Sequence, residues 1–530
     1  MKRINIFRLF AVAVLSLGFS ACSDFLDEQP DNRTMLDSED KIVGMLVSAY
    51  CENGYIRTTE LSSDNVDQCA LKNPDYDLGD EELYNWETVT DSSNEYPVDV
   101  WQGCYNAIAS ANMVLQAIDN MGGPTTDKLK AARGEALVCR AYAHFILVNI
   151  FCQAYNPRYA EEDLGIPYMD TVETDLMVKY DRGTVANVYD RIDQDLVEGL
   201  PLVNDVIYTT PKFHFNRKAA HAFAARFYLF YQKWDRAIEC ANAVLGSSPE
   251  SMLRDMAYMA TLDIQSADRK NLLRTLEYVN PERPCNLLLQ TAYSELGVMF
   301  GPYSAHTGFN HGNWLNTTET FRAPAPWGSS FTYYVNPYTF NDADMDKAFA
   351  WRLPYKFEYS DPVNLIGFAH TVYPAFTAEE TLLVRAEAYI MKKLYQPALD
   401  DMNMWVSVYV RSGASELTEA SISNWVKRVG MYTPANPTPV KEIKSPAFPL
   451  EPGTQTNMCY ALLHMRRVET VHMGLRWFDT KRYGITIFRR KLAVYNKLGT
   501  VTGALNARDP RCALQLPPDV LSAGMTPNPR

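Results

Sequence analysis

One pattern of alanines and aromatic residues occurs twice in this chain and restricts its fold more than any other feature. Ala225 is followed by Tyr228, Trp234, Ala237 and Ala241, and Ala386 is followed by Tyr389, Tyr395, Ala398 and Met402. The offsets of 3, 9, 12 and 16 residues are identical in the two copies. Small residues let two helices approach closely, and large rings fill the groove between neighbours. The pattern therefore predicts two similar helical hairpins.

The helical periodicity extends beyond these two copies. Apolar residues recur at spacings of three and four in the stretches 127–155, 184–200, 218–245 and 377–408. The small–large–turn–small order is typical of tetratricopeptide hairpins, and the helix around Arg140-Ala141-Tyr142 is a candidate third member. The alternative is two unrelated hairpins. We predict an all-α fold: a tetratricopeptide-like helical scaffold with a loop-rich, irregular ligand-binding half.

Two segments lack this periodicity. Residues 64–97 and about 246–375 are rich in proline, glycine, asparagine and aromatic residues. Irregular segments of this length on a rigid scaffold commonly carry binding groups. We therefore expect the ligand site there.

The first residues predict export. Lys2, Arg3 and Arg8 precede an apolar stretch at 9–18, and Ser20-Ala21 leads into Cys22. This order is typical of a bacterial lipoprotein that is cut before a lipidated Cys22, although Phe19 stands where leucine is usual. The alternatives are a short membrane anchor or a signal peptide with an incidental cysteine. We expect a signal peptide over 1–21 and an acidic lipidated tether over 22–40.

Composition excludes several classes of protein. A net charge of −13 without a dense basic run argues against nucleic-acid binding. The ten cysteines are irregularly spaced and contain no CxxC pair, so no zinc site or disulfide framework is indicated, although one or two disulfides remain open.

The sequence contains no recognisable catalytic motif, neither GxSxG nor HExxH nor a phosphate-binding glycine loop. His464 and His472 are too far apart on one helix to share an ion. Acidic clusters such as Glu379-Glu380 leave a glycosidase pair open, but solvated loops and a helix first turn explain them equally well. We expect a protein that is not an enzyme and that has no metal or other cofactor.

The irregular segments supply the candidate ligand-binding residues. These are Asp64, Asn65, Asp67, Trp86, Tyr303, Asn313, Trp314, Arg322, Trp327 and Tyr333. An exposed aromatic ring beside amide and guanidinium groups suits a sugar, whose C–H face stacks on the ring while its hydroxyls form hydrogen bonds. Peptide binding would use the same residue types. Most of the rings are expected to pack the loops onto the scaffold.

Taken together, several motifs resemble the SusD/RagB family of outer-membrane lipoproteins. In chain order they are Ala21-Cys22-Ser23-Asp24-Phe25-Leu26-Asp27, Trp101 to Asn112, Glu135 to Tyr142, Val185 to Asp190, the 219–241 hairpin, Glu380 to Tyr389, and Arg466-Arg467-Val468-Glu469 with Gly474 to Arg482. Each motif is degenerate alone, but their shared order over nearly the whole mature chain is specific. Met465 and Met473 stand where the family usually has glutamate.

The resemblance implies a non-catalytic lipoprotein on the cell surface of a gram-negative bacterium. It also implies that the protein captures oligosaccharides and delivers them to a SusC-like, TonB-dependent transporter barrel. The alternatives are a RagB-like peptide-binding lipoprotein or a surface glycosidase. Within residues 41–530 we expect the scaffold at about 41–63, 98–249 and 377–410, the ligand-binding loops at about 64–97 and 250–376, and a C-terminal segment at 411–530. No family motif fixes the ligand residues; glycan binding should be lost on Trp86→Ala or Trp314→Ala.

Overall fold

The structure is a computed structural model that describes residues 36–69, 75–93, 95–174, 178–262, 273–303, 307–328, 333–341, 345–411, 413–444, 446–492 and 499–530. The predicted signal peptide and Cys22 lie outside the described residues. The helices are α1 Glu39–Met45, α2 Ile56–Ser62, α3 Leu78–Tyr84, α4 Pro97–Asn120, α5 Asp127–Phe151, α6 Val185–Gly199, α7 Arg217–Phe230, α8 Trp234–Leu245, α9 Met256–Thr261, α10 Leu273–Tyr278, α11 Leu296–Met299, α12 Asn313–Thr318, α13 Ala378–Met391, α14 Tyr395–Tyr409, α15 Glu419–Val429, α16 Thr454–Thr470, α17 Arg476–Tyr483 and α18 Pro518–Ser522. The strands are β1 Asp67–Gln68, β2 Asn286–Tyr293, β3 Phe309–Asn310, β4 Tyr338–Asn341, β5 Asp346–Phe349, β6 Lys356–Asp361, β7 Ile366–Thr377, β8 Ile487–Arg490 and β9 Val501–Leu505.

The two copies of the alanine–aromatic pattern form matching helical hairpins. Helices α7 and α8 make one hairpin, α13 and α14 make the other, and α8 packs against α13. Ala225 and Ala386 are both fully buried. The turns also match, because Gln232 and Lys393 occupy equivalent positions and have positive φ angles of 63° and 60°. The predicted all-α, helical-repeat scaffold is confirmed.

Threonine side chains explain where several scaffold helices begin. The hydroxyl of Thr126 accepts a hydrogen bond from the backbone N–H of Leu129 at the start of α5. Thr184 and Thr377 cap α6 and α13 in the same way. Each cap satisfies one of the N–H groups that a helix leaves without a partner.

The stretch that the sequence analysis predicts to be irregular contains a three-stranded antiparallel sheet in the order β2-β7-β6. The apolar run Leu287-Leu288-Leu289 of β2 is almost completely buried. A strand buried on both faces loses the apolar–polar alternation by which strands are recognised in a sequence. The sequence pattern of β2 therefore does not predict a strand.

Among the described residues, α5 alone has the length and hydropathy of a membrane span, and its apolar stretch is wholly buried within the protein.

Candidate functional site

The aromatic side chains of the β4–β5 hairpin form a surface that is partly open to solvent. The two strands pair antiparallel, with Tyr338 opposite Phe349. Tyr338 is 41% exposed, and its ring centroid lies 5.0 Å from Phe340, 5.5 Å from Phe349 and 6.1 Å from Trp351. Phe349 and Trp351 are buried. We call these four residues the aromatic hairpin; its buried rings support the exposed one.

Helix α12 contacts strands β4 and β5 and carries Trp314. The backbone N–H of Asn313 donates to Asp346 Oδ1 at 2.8 Å, and the N–H of Ala348 donates to the carbonyl of His311 at 2.7 Å. Both bonds join the start of α12 to β5. Trp314 is partly buried as a residue, and its indole nitrogen is buried with no hydrogen-bond partner among the residues that the structure describes. A partly exposed tryptophan is thus held on the helix next to β4 and β5.

Two further predicted residues are tied to α12 and β5. Lys347 of β5 donates its ammonium to the carbonyl of Tyr303 at 2.8 Å, and burial lowers the pKa of this lysine to about 7. The backbone N–H of Arg322 donates to the carbonyl of Asn316 in α12 at 2.8 Å. Tyr303 and Arg322 are both partly buried. The predicted residues on or beside α12 and β5 are therefore Tyr303, Asn313, Trp314 and Arg322. Of these, Asn313 is buried, at 7% exposure, because it lies at the start of α12 against β5.

Trp86 of the earlier loop lies in the interior instead. It is 2% exposed, and its indole N–H donates to the carbonyl of Ser62 at 2.9 Å. The guanidinium of Arg489 lies over the ring, 4.2 Å from its centroid. The sequence predicts that Trp86 is a loop residue open to a ligand; in the structure its ring instead packs β8 against α2.

Trp327 and Tyr333 are also interior residues, at 0% and 3% exposure. The ring of Trp327 lies 5.3 Å from the rings of both Trp405 and His464, and it is stacked on the histidine. Residues from α14 and α16 thus cover a tryptophan that the sequence places in an open loop. These two rings likewise present no stacking face to solvent in this structure.

The predicted residue Asp64 is buried in a network of ions. Its carboxylate accepts two hydrogen bonds from Arg476, at 2.7 and 2.9 Å, and lies 2.8 Å from the ammonium of Lys441. Burial alone would raise its pKa, but Arg467, Arg476 and Lys441 hold the pKa well below its ordinary value. Asp64 is therefore an internal anion that the protein itself pairs.

Glu319 and Asp67 complete this network. Glu319 lies 2.7 Å from Lys441, 3.0 Å from Arg467 and 2.7 Å from Arg490. Its pKa is about 2, because these cations outweigh the effect of burial. Asp67 accepts hydrogen bonds from Arg490 at 2.9 and 3.1 Å. We call this group of residues the buried ion network: Asp64, Asp67, Glu319, Lys441, Arg467, Arg476 and Arg490.

Asn65 connects the network to the base of α12. Its side chain donates to Glu60 at 2.8 Å and accepts from Arg467 at 2.9 Å. Its carbonyl lies 2.7 Å from Nδ1 of His311, two residues before α12. Asn65 is fully buried, so it positions the loop that carries Trp314. The sequence predicts that Asp64, Asn65 and Asp67 face a ligand. In this structure their side chains instead bind other buried residues, namely Arg476, Glu60 and Arg490.

Sequence reasoning missed the residues that complete both groups. The alternation of Tyr338, Phe340, Phe349 and Trp351 was a usable signal, because aromatic residues at every second position are typical of a strand face. No local signal marks Lys441 or Arg490 as partners of the early loop, since residues 67 and 490 are 423 positions apart.

A second region contains a cavity of about 460 Å³. It lies between α4, residues 167–173 and 178–180, and α18, and its lining includes Trp101, Tyr105, Met169, Lys179 and Met525. None of the predicted ligand residues lines it. Trp101 is 7% exposed, so the ring of this lining residue is mostly packed into the core. Among the described residues, no three His, Cys, Asp or Glu side chains are grouped closely enough to hold a metal ion.

Comparisons with known proteins agree with this architecture. Residues 24–229 match the model of a SusD-like family described as starch-binding and associating with the outer membrane. A SusD superfamily protein from Bacteroides thetaiotaomicron VPI-5482 has 17% identity and a TM-score of 0.63, with 94% of this chain and 100% of that chain covered. A putative sugar binding protein from Bacteroides vulgatus ATCC 8482 has 17% identity and a TM-score of 0.60, with coverage of 94% and 99%.

A laminarin binding SusD-like protein has 16% identity and a TM-score of 0.53, with 93% of this chain and 98% of that chain covered. At these identities the likeness establishes a common fold. The search of curated proteins gave no match.

Proposed function

We propose that this chain is a member of the SusD/RagB family that captures an oligosaccharide at the outer membrane and delivers it uncleaved to a SusC-like, TonB-dependent transporter. One observation carries the proposal. Trp314 and Tyr338 are partly exposed rings on adjacent elements, and buried side chains fix both elements.

Fixed rings suit sugar binding for a physical reason. The C–H face of a pyranose packs on an aromatic ring and gains affinity without ordering a flexible side chain. Arg322 lies beside α12 and is partly exposed, and its guanidinium group matches the hydroxyls at the edge of a sugar. We assign Trp314, Tyr338 and Arg322, with Tyr303, to the ligand site.

In this proposal a supporting role falls to the buried residues Trp86, Trp327, Tyr333, Asp64 and Asp67. Because Asn65 and Glu319 connect the loop to the segment that carries α12, the buried ion network holds the ligand site in place. The ligand would contact the partly exposed residues and not the network.

Capture without cleavage is part of the proposal. A glycosidase needs an acid held protonated beside a second carboxylate at the sugar. Burial raises the pKa of Asp346 to about 6, but this residue is 3% exposed and accepts a backbone hydrogen bond from Asn313. The neighbouring Asp67 is paired with Arg490. Both carboxylates are therefore turned toward the protein.

We propose the lipid anchor and the transporter partner from the likeness to SusD-like proteins and from the sequence of the first residues. Acyl chains on Cys22 and the acidic 22–40 tether would keep the binding body close to its transporter. A tether of this kind raises the local concentration of one partner near the other. Of the relatives, one is a laminarin binding protein and one a putative sugar binding protein, which favours a glycan over a peptide ligand.

A glycan panel tests the proposal. We expect native affinity electrophoresis to show retardation by at least one polysaccharide, and we expect Trp314→Ala to lower the affinity about tenfold, equivalent to about 1.4 kcal/mol. The matched control is Phe213→Ala, because Phe213 is 37% exposed but lies in a different segment, before α7. Co-purifying peptides with no glycan bound, or release of reducing ends during overnight incubation, would contradict the proposal.

A further inference from the structure

Two cysteines of this chain lie in direct contact. The sulfur atoms of Cys51 and Cys104 are 3.7 Å apart, although the residues are 53 positions apart in the sequence. Cys51 is 8% exposed and Cys104 is fully buried. All nine described cysteines are buried, so burial alone does not distinguish these two; their mutual contact does.

The backbone brings the two sulfurs within reach of a bond. Cys51 follows the 3₁₀ helix Leu46–Ala49, and Cys104 lies in the second turn of α4. A Cβ atom placed on Gly103 would lie 3.0 Å from the sulfur of Cys51, so this sulfur already touches the helix at the turn that carries Cys104. A disulfide has an S–S distance of about 2.05 Å, which small side-chain rotations can reach from van der Waals contact.

The pair lies where three parts of the fold meet. The amide of Asn53 donates to the carbonyl of Asp99 in α4 at 3.1 Å, and Asn53 also bridges to Tyr293 of β2. Glu95, just before α4, accepts from Ser294 at 2.7 Å. A disulfide here would link α4 to the segment before α2. That segment leads into the part of the chain that carries the buried ion network.

We infer that Cys51 and Cys104 form a disulfide in the exported protein. The inference rests on the export that is part of the proposed function, because oxidising compartments outside the cytoplasm allow structural disulfides to persist. Two S–H bonds break and one S–S bond forms. The two electrons and two protons pass to the disulfide of an exported thiol–disulfide oxidoreductase, which becomes a dithiol.

The folded structure also determines when this bond forms. Contact with Cys51, together with burial, raises the pKa of the Cys104 thiol, so little reactive thiolate exists once the pair is enclosed. We therefore expect the bond to close during folding after export, before the pair is enclosed. It then adds a covalent link between residues that are 53 positions apart in the sequence, which stabilises the native state.

The inference is tested by counting free thiols. The sample is the full-length lipoprotein, isolated from the outer membrane of a gram-negative host. The protein is unfolded without reductant, alkylated with iodoacetamide and analysed by peptide mass spectrometry. We expect seven of the nine described cysteines to be alkylated, and a cystine-linked peptide pair to contain Cys51 and Cys104. Alkylation of both residues in the unreduced protein would overturn the inference.

Two variants make the count specific. Cys51→Ala should raise the number of reactive thiols from seven to eight, because it frees Cys104. The matched control, Cys240→Ala, removes another buried cysteine and should lower the count from seven to six. Reductant should lower the Tm of the wild type by about 3–5 °C and leave that of Cys51→Ala unchanged. Thiol counts do not depend on any ligand, so failure of glycan binding would leave this result intact.

Discussion

Trp86 and Trp314 lie in the two irregular segments of the chain, and the sequence gives them the same expected role, but their surroundings differ. Trp86 is covered by Arg489 and bonded to the backbone of α2. Trp314 remains partly open to solvent on α12. The early segment is bound by charges from the C-terminal part of the chain, whereas the later one presents rings on a supported hairpin.

This difference separates the parts of the loop-rich region that stabilise the fold from those that can contact a ligand. Buried ions are costly to remove singly, because each loss leaves the partner charge without compensation. Partly exposed rings contribute little to folding and can instead contribute to binding. Variants of the buried region should therefore lose stability, and variants of the partly exposed rings should lose affinity for the ligand.

The largest effect is expected from the buried ion network. Replacing Glu319 with glutamine leaves Lys441, Arg467 and Arg490 without a shared anion and should lower the free energy of unfolding by about 3–5 kcal/mol. Denaturant titration measures this change. The control is Glu442→Gln, which removes an exposed partner of Lys444 and should change stability by less than about 0.5 kcal/mol. Equal stability of the two variants would refute a structural role for the network.

Truncation of Trp86 comes next. Because its ring is 2% exposed, Trp86→Ala should destabilise the protein by about 3–4 kcal/mol while the remaining folded molecules bind glycan with unchanged affinity. Thermal unfolding and titration calorimetry on the same sample measure both quantities. A variant that melts normally but no longer binds would show that Trp86 is a ligand contact, as the sequence alone suggests.

An effect that is smaller near pH 6 and grows as the pH falls is expected from His464. Burial between the rings of Trp327 and Trp425 lowers its pKa to about 3, so the native state stays neutral at this site while the unfolded chain takes up a proton below about pH 6.5. Stability is therefore lost as the pH falls from 6.5 toward 3, by at most about 1.4 kcal/mol per pH unit for this one group.

His464→Phe should keep the ring and remove this proton uptake. Its unfolding free energy, measured by denaturant titration at several pH values, should fall less steeply than that of the wild type below pH 6. Parallel curves for the two proteins would mean that His464 is protonated in the native state.

The smallest effect on stability is expected at the aromatic hairpin. Tyr338 is 41% exposed, so Tyr338→Ala should lower the free energy of unfolding by no more than about 1 kcal/mol. Affinity for glycan should fall about fivefold, since one of the stacking rings is lost. A large loss of stability with unchanged affinity would assign Tyr338 to the core.

The scaffold could be predicted from the sequence because the residues that determine its helices lie close together in the sequence. The offsets that relate Ala225 to Ala386 determine two hairpins, and threonine caps mark the helix starts without reference to distant residues. The environment of the loops is not local. Trp327 is covered by Trp405 and His464, and Asp64 is paired with Arg476, 412 positions away.

The same argument applies to the candidate site. Aromatic and amide residues indicated the segment to which we assign the site, since Trp314, Tyr303, Asn313 and Arg322 all lie on or beside α12 and β5. Which rings in that segment remain exposed depends on the strands and helices that pack on them. Only Tyr338 and its alternating neighbours had a pattern from which the hairpin could have been recognised.

Glycan affinity and unfolding free energy, measured together for Trp314→Ala and Trp86→Ala, test this division of the loop-rich region most directly. We predict that Trp314→Ala loses about tenfold in affinity and unfolds as the wild type does, whereas Trp86→Ala loses stability and keeps its affinity. The opposite pattern, with affinity lost at Trp86 and stability lost at Trp314, would contradict the account.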